Sequence, residues 1–308
     1  MECYLQMKNF FKRPYRWAAI FSIVLIVSFS FTLLDTFVIS KSFAVATPNT
    51  ATRVQDSIQT GSQAFISDTS YEDKNIKISI ETVEKYDSTF YIADIQLTDA
   101  SYLKTALADN TYGQNIKETT SDMADAQDAI FAVNGDYYGF RSSGVVIRNG
   151  VLYRETLRDG TDNEDLVIDQ DGNFSIITES QDELAALNTD EIQQILSFGP
   201  GLVENGKITV SSSSEVSQSK NSNPRTAIGQ ISELHYIVLV ADGRTNESEG
   251  LSLLEMAQIF KDKNCITAYN LDGGGSSSMY FNGEIVNVPT DGRTFGEREV
   301  SDIVYVGY

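Results

Sequence analysis

Residues 265–288, CITAYNLDGGGSSSMYFNGEIVNV, constrain the fold more than any other stretch of the chain. The apolar run Ile266–Leu271 reads as a buried strand that stops at Asp272. Gly273–Gly275 and three serines follow, then a second apolar run, Met279–Phe281. Asn282-Gly283 turns that run back into Glu284–Val288. An Asn-Gly pair between two such runs signals a tight hairpin, because both turn positions need positive φ. The glycine segment leaves a strand end beside a carboxylate with no side chains to hold a ligand off. Successive amides there are able to cup an anion. Tyr236–Ala241 repeats the pattern, ending on Asp242 and Gly243-Arg244. Two buried strands that each end in Asp-Gly read as two walls of one site.

The remaining polar residues sort around that frame. Ile76, Ile78 and Ile80 alternate with polar residues as in a half-buried strand, with Phe90–Leu97 as partner. Ser121 is the expected N-cap of a short helix through Ala129. Ile130–Val133 then forms a strand feeding NGDYYGF, Asn134–Phe140. Asn134 and Asp136 suit a sugar hydroxyl or a cation, and Tyr137, Tyr138 and Phe140 suit a stacking face. The plain alternative is a turn with its aromatics in the core. Further hairpins are expected at Asn149-Gly150 and Asn205-Gly206. The acidic turn Asp169–Asn173 has its glycine at the fourth position rather than the sixth, so it fails the EF-hand pattern. Ser180 with Glu183, and Ser252 with Glu255, have capping-box spacing. Glu255 is therefore structural, a general acid/base, or both. Arg225, in NPRTAIGQ, is either a phosphate-gripping arginine or an edge residue. The helix from Ser252 to about Lys263 is long enough to cross over between the Asp242 and Asp272 strands as parallel neighbours.

Composition bounds the function. The 308 residues carry 23 Lys/Arg against 43 Asp/Glu, a net charge of −20, which argues against a nucleic-acid partner. Lys8, Lys12, Arg13 and Arg16 precede an apolar run, Trp17–Leu34, extended by Phe37–Ile39 beyond Asp35. This predicts a cytoplasmic basic tail over 1–16, a transmembrane signal-anchor over 17–39, a polar linker over 40–70 and a folded domain over 71–308. Ala44-Val45-Ala46 offers the rival reading, cleavage after Ala46 and secretion. Both readings put the domain outside the cytoplasm, and the anchor makes it a single-pass protein of the cell membrane. Cys3 and Cys265 fall on opposite sides and do not pair. Only one histidine, His235, is present, without a G-x-S-x-G serine motif, so a serine hydrolase is disfavoured. Zinc lacks its His and Cys ligands, while an acid-lined calcium or magnesium site stays open. The fold expected is α+β: a mixed, largely antiparallel sheet with few helices, preceded by one transmembrane helix.

The order and spacing of NGDYYGF, NPRTAIG, ADGR, GLSLLEMA, NLDGGGSSSM and REVSDIVYV resemble the phosphodiester glycosidases across roughly Tyr71–Tyr308. That family includes the uncovering enzyme, which removes N-acetylglucosamine from phosphodiester-linked mannose. It also includes bacterial cell-surface homologues labelled exopolysaccharide-related. Asp136 stands where relatives often carry a small residue, and the disulfide-rich regions of the animal enzyme are absent, which leaves the sugar open. The resemblance implies hydrolysis of a sugar C1–O–phosphate bond in a glycan phosphodiester, through an oxocarbenium-like transition state. Asp272 and Asp242 are then the carboxylates, with Glu255 third. Arg225, Arg244 and the Gly273, Gly274, Gly275 and Ser276 loop hold the phosphate, and Asn134 and Asp136 read sugar hydroxyls or a cation. No cofactor is required on this reading, though a divalent cation such as calcium is compatible with it. The rivals are metal-assisted phosphoryl transfer and a non-catalytic cell-wall glycan-binding or assembly protein.

Overall fold

The computed structural model describes residues 15–43, 64–214, 222–292 and 294–308. The chain forms two compact units, Met1–Lys41 and Ser42–Tyr308. The first contains the helix Arg16–Phe37, 22 residues with none buried. At 1.5 Å per residue it is about 33 Å long, enough to cross the hydrocarbon core of a bilayer. Lys8, Lys12 and Arg13, and the cleavage sequence ending at Ala46, lie outside the described residues.

The second unit is built from three main antiparallel sheets. A nine-stranded sheet runs, in spatial order, Lys207–Ile208, Gly201–Glu204, Thr267–Asn270, Arg225–Ser232, His235–Ala241, Ser88–Leu97, Ile76–Lys85, Ser70–Glu72 and Phe65–Ser67. A five-stranded sheet runs Glu284–Ile285, Met279–Phe281, Phe131–Asn134, Asp302–Val306 and Leu103–Leu107. A second one runs Val151–Arg154, Val146–Arg148, Ile192–Leu196, Glu164–Asp169 and Phe174–Thr178. Three α-helices accompany them among the described residues: Thr120–Ala126, Gln181–Ala186 and Leu253–Asp262.

Strand composition follows from what covers each face. Ile76, Ile78 and Ile80 point into the main core with Phe131, Val133, Leu166, Met279 and Val304, and the intervening residues face solvent. Within the strand His235–Ala241, the run Tyr236–Ala241 is apolar because both its faces are covered. Tyr236, Val238 and Val240 enter the main core. Ile237, Leu239 and Ala241 pack with Met256, Ala257 and Phe260 of the helix Leu253–Asp262. That helix approaches closely over Gly229, where a Cβ would lie 2.8 Å from the Phe260 ring.

Three local expectations change. The strands before Asp242 and Asp272 are parallel but not neighbours, since Arg225–Ser232 lies between them and is antiparallel to both. The length of the connection shows that a crossover is feasible, not how many strands it skips. The short helix is capped by Thr119, whose side chain accepts from the Asp122 N–H, rather than by Ser121. The sheet begins at Phe65, inside the stretch expected to be linker. The Phe65–Ser67 strand is exposed along its whole length, so no apolar alternation marks it.

Candidate active site

The pairing register assembles the site. Arg225 lies opposite Ala241, and Ala227 opposite Asn270. The N-terminal end of the middle strand therefore sits between Asp242 and Asp272, all at one sheet edge. The two outer strands are roughly 10 Å apart across it. Asn134, ending a strand of the neighbouring five-stranded sheet, ties this edge down. Its amide donates to the Asp272 carbonyl at 2.7 Å, and its Oδ1 accepts from Thr226 Oγ1 at 2.7 Å. Asp272 N–H in turn donates to the Gly135 carbonyl at 3.3 Å.

Asp272 is 8% exposed. One carboxylate oxygen accepts from the Gly273 N–H at 2.9 Å, the other from Ser276 Oγ at 2.6 Å. Arg298, from the chain's closing segment, reaches the same oxygen at 3.4 Å, Ser276 Oγ at 2.5 Å and the Gly273 carbonyl at 3.4 Å. Burial raises the Asp272 pKa above the usual carboxylate range, while Ser276, Arg298, the Gly273 amide and Arg141 pull it back. Arg244 closes the other side of the glycine loop, where a Cβ on Gly274 would sit 2.8 Å from its Nη2. Gly274 has φ 63°, and its N–H donates to the Pro224 carbonyl at 2.8 Å. Gly275 abuts Asp291, 2.4 Å from where a Cβ would be.

Asp242 is placed differently. Its Oδ1 accepts from the Val288 N–H at 2.8 Å and from Asn287 Nδ2 at 3.1 Å, and Tyr91 Oη approaches its Oδ2 at 3.4 Å. Asn287 also bridges the Ser277 carbonyl and the Met279 N–H. Asp242 thus fastens the segment that returns from the Gly-Ser loop. Burial raises its pKa, with Val288, Asn287 and Tyr91 opposing. The raised proton affinity that two facing carboxylates would give comes, for Asp242 and Asp272 alike, first from burial. Arg225 is buried, and its Nε donates to the Leu251 carbonyl at 3.0 Å. Glu255 closes a complete capping box with Ser252. No hydrogen bond or ion pair joins it to Asp242 or Asp272 among the described residues.

Asp136 lies beneath the site instead of lining it. Its carboxylate accepts from the N–H groups of Tyr138 and Ser197, each at 2.8 Å, and pairs with Arg148 at 2.8 Å. Arg148 also holds Asp302, through Nε at 2.9 Å and Nη2 at 2.8 Å. All three are fully buried. Burial disfavours the Asp136 charge, yet Arg148 and the two amides together lower its pKa. For Asp302 burial prevails, with Asp136 and Asp272 adding to the rise against Arg148. The Asp302 Oδ1 has no hydrogen-bond partner among the described residues and lies 2.4 Å from where a Cβ on Gly135 would be. Only glycine fits there.

Asp272, Ser276, Arg298, Arg244 and the three glycines form a carboxylate beside an anion cradle. Two guanidinium groups and a backbone free of side chains suit a phosphate oxygen. Arg298 is the residue that local pattern reading passes over. It lies in the REVSD segment, but nothing in its immediate neighbours marks it as a partner of a residue 26 positions earlier.

Comparison with known proteins gives a consistent picture. The phosphodiester glycosidase family model matches residues 127–307. An SPbeta prophage-derived protein of Bacillus subtilis, YomE, is 31% identical over 202 residues, covering 64% of this chain and 31% of its own length. The mouse N-acetylglucosamine-1-phosphodiester alpha-N-acetylglucosaminidase is 31% identical over 194 residues, covering 58% of this chain and 37% of that one. The chain thus spans about a third of the length of these relatives. Among solved structures, the catalytic domain of the zebrafish N-acetylglucosamine-1-phosphodiester alpha-N-acetylglucosaminidase, auto-inhibited by its pro-peptide, superposes with a TM-score of 0.62. It is 22% identical and covers 80% of this chain and 88% of that one, a shared fold. A match over more than half of the sequence, reaching from the strand before Asn134 through Asp272 and Arg298, makes this chain a member of the phosphodiester glycosidase family.

Proposed function

We propose that the chain hydrolyses the C1–O–phosphate bond of a sugar phosphodiester, releasing the free sugar and a phosphate monoester. The observation that carries this reading is the buried Asp272 carboxylate, bonded to Ser276 and approached by Arg298, at the mouth of the Gly273–Gly275 loop. Water supplies the new oxygen at C1, and the bridging oxygen leaves with the phosphate and the bonding electron pair. The Asp272 carboxylate faces the positive charge that develops at the sugar ring. Arg298 and Arg244 hold the departing phosphate, which needs little protonation. Asp242 and Asn134 act by fixing the loop, Arg225 by supporting it from below, and Asp136 through Arg148. Glu255 serves the helix cap.

The substrate that best suits this cradle is a phosphorylated glycan at the cell surface, including exopolysaccharide. The helix Arg16–Phe37 anchors the enzyme, with the basic residues before it retained in the cytoplasm and the second unit outside. No divalent cation is needed, since two arginines supply the positive charge. Turnover should therefore persist in excess EDTA.

The test is incubation of the full chain, in detergent, with a sugar-1-phosphodiester in water enriched in oxygen-18. Label in the released sugar supports C–O cleavage. Label in the phosphate overturns it in favour of phosphoryl transfer. Saturable binding with no release favours a glycan-binding or assembly role.

A further inference from the structure

The anion cradle contains a carboxylate that the hydrolytic step does not use. Gly275 leaves the space for it. A Cβ there would lie 2.4 Å from Asp291 Oδ1 and 3.0 Å from its Cγ, so only glycine admits the Asp291 carboxylate against the loop. The same Oδ1 lies 3.9 Å from Arg298 Nη1, while Arg298 Nη2 reaches Asp272 Oδ2 at 3.4 Å. One guanidinium thus spans both acids. A small hairpin, Thr290–Asp291 paired with Thr294–Phe295, holds Asp291 in place. Thr294 Oγ1 donates to the Asp291 carbonyl at 2.8 Å, and the buried Thr290 Oγ1 to the Gly243 carbonyl at 2.9 Å. Gly296 N–H closes the hairpin's base on the Pro289 carbonyl at 2.9 Å. These bonds fix the backbone and leave the Asp291 carboxylate without a hydrogen bond among the described residues. Its side chain is 48% exposed, so it faces both the loop and solvent.

A carboxylate beside a bound anion weakens binding in proportion to the anion's charge. A phosphodiester carries one negative charge. The monoester that leaves after C1–O cleavage carries close to two at neutral pH, since its second proton is lost near a pKa of about 6. A cradle of arginines alone would therefore hold the product more tightly than the substrate. Resting on the phosphodiester reading, we propose that Asp291 is a specificity-determining residue that weakens the cradle's hold on the doubly charged monoester and so favours its release. Arg298 and Arg244 bring two positive charges to the loop, and Asp272 and Asp291 oppose them with two negative ones. That balance leaves room for the single charge of a diester and penalises the second charge of the product.

The experiment measures binding rather than turnover, so that the two readings fail separately. Calorimetry at pH 8 on the full chain in detergent compares methyl phosphate, a dianion, with dimethyl phosphate, a monoanion of similar size. Asp291→Asn keeps the shape and removes the charge. Methyl phosphate should then bind about tenfold more tightly and dimethyl phosphate only about threefold, because twice the charge doubles the change in free energy. Asp291→Ala should shift the two ligands in the same unequal way, which separates loss of the charge from any bond the new amide makes. Equal gains for the two ligands, or no gain for methyl phosphate, overturn the proposal. So does weaker binding of both, which would mean that Asp291 acts by positioning Arg298. Binding of neither ligand, by wild type or variants, overturns the cradle and the proposal with it. Sugar release from a phosphodiester, measured separately, decides the hydrolase reading alone.

Discussion

At the scale of single residues, the contest at Asp272 is between burial, which favours the neutral acid, and donors that favour the charge. The donors come from three places: the following amide, a hydroxyl four residues on, and the closing segment of the chain. Asp272→Asn preserves size but neither ionises nor attacks. Turnover on a sugar-1-phosphodiester should fall about a thousandfold while the chain stays folded, as single-turnover assay and circular dichroism would check. Full activity in that variant would remove Asp272 from the mechanism. Arg298→Gln should cost about a hundredfold, and Arg298→Lys should recover only part, because an ammonium lacks the fork that engages Ser276 and the anion together. If Arg298→Gln left kcat/KM unchanged, its closeness to Asp272 would be structural.

Among the elements, the glycine loop and the capped helix make opposite predictions. Gly274 needs φ 63° and has Arg244 pressed on it, so Gly274→Ala combines backbone strain with a displaced guanidinium. It should destabilise by about 1–2 kcal/mol and raise KM more than it lowers kcat. Glu255→Gln should leave turnover within about twofold, since glutamine closes a capping box as well as glutamate does. A stable Glu255→Gln variant without activity would return Glu255 to the chemistry. The same contrast explains what could be read in advance. The hairpins at Asn149-Gly150, Asn205-Gly206 and Asn282-Gly283 were legible because the turn itself demands left-handed backbone, and all six residues have positive φ. The Asp-Gly strand ends were legible because an apolar run stops abruptly on an acid. The middle strand between Asp242 and Asp272 was not, since pairing order is a property of the whole sheet. Arg148 and Asp302 are 154 residues apart, and no local pattern joins them. Asp136 looked available in NGDYYGF because its sequence neighbours do not include the Ser197 amide and Arg148 that engage it.

For the molecule as a whole, the site rests on two linked clusters, each with one arginine between two buried acids. Asp136 and Asp302 flank Arg148. Asp165 and Glu179 flank Arg158, at 2.6 Å each. Ser197 joins the clusters, its N–H donating to Asp136 and its side chain lying against Asp165. One positive charge between two negative ones leaves each cluster short of compensation, and burial adds to the shortfall. Asp165 is accordingly pushed up to about 7, first by burial and then by Glu179, with Arg158 opposing. An acid whose folded pKa lies above its unfolded value of about 3.9 binds more protons in the folded state between those values. Its contribution to stability is complete below about pH 4 and is lost as the pH rises through 7. The slope from this group approaches about 1.4 kcal/mol per pH unit in that window and vanishes above it. Global unfolding of the wild type by urea at pH 5 and pH 8 should therefore show a downward component that Asp165→Asn removes. Asp165→Asn should be less stable than wild type at pH 5 but close to it at pH 8, because the ionised wild-type carboxylate is then as poorly matched to its site as the amide. A pH dependence identical in the two proteins would show that Arg158 keeps Asp165 ionised throughout.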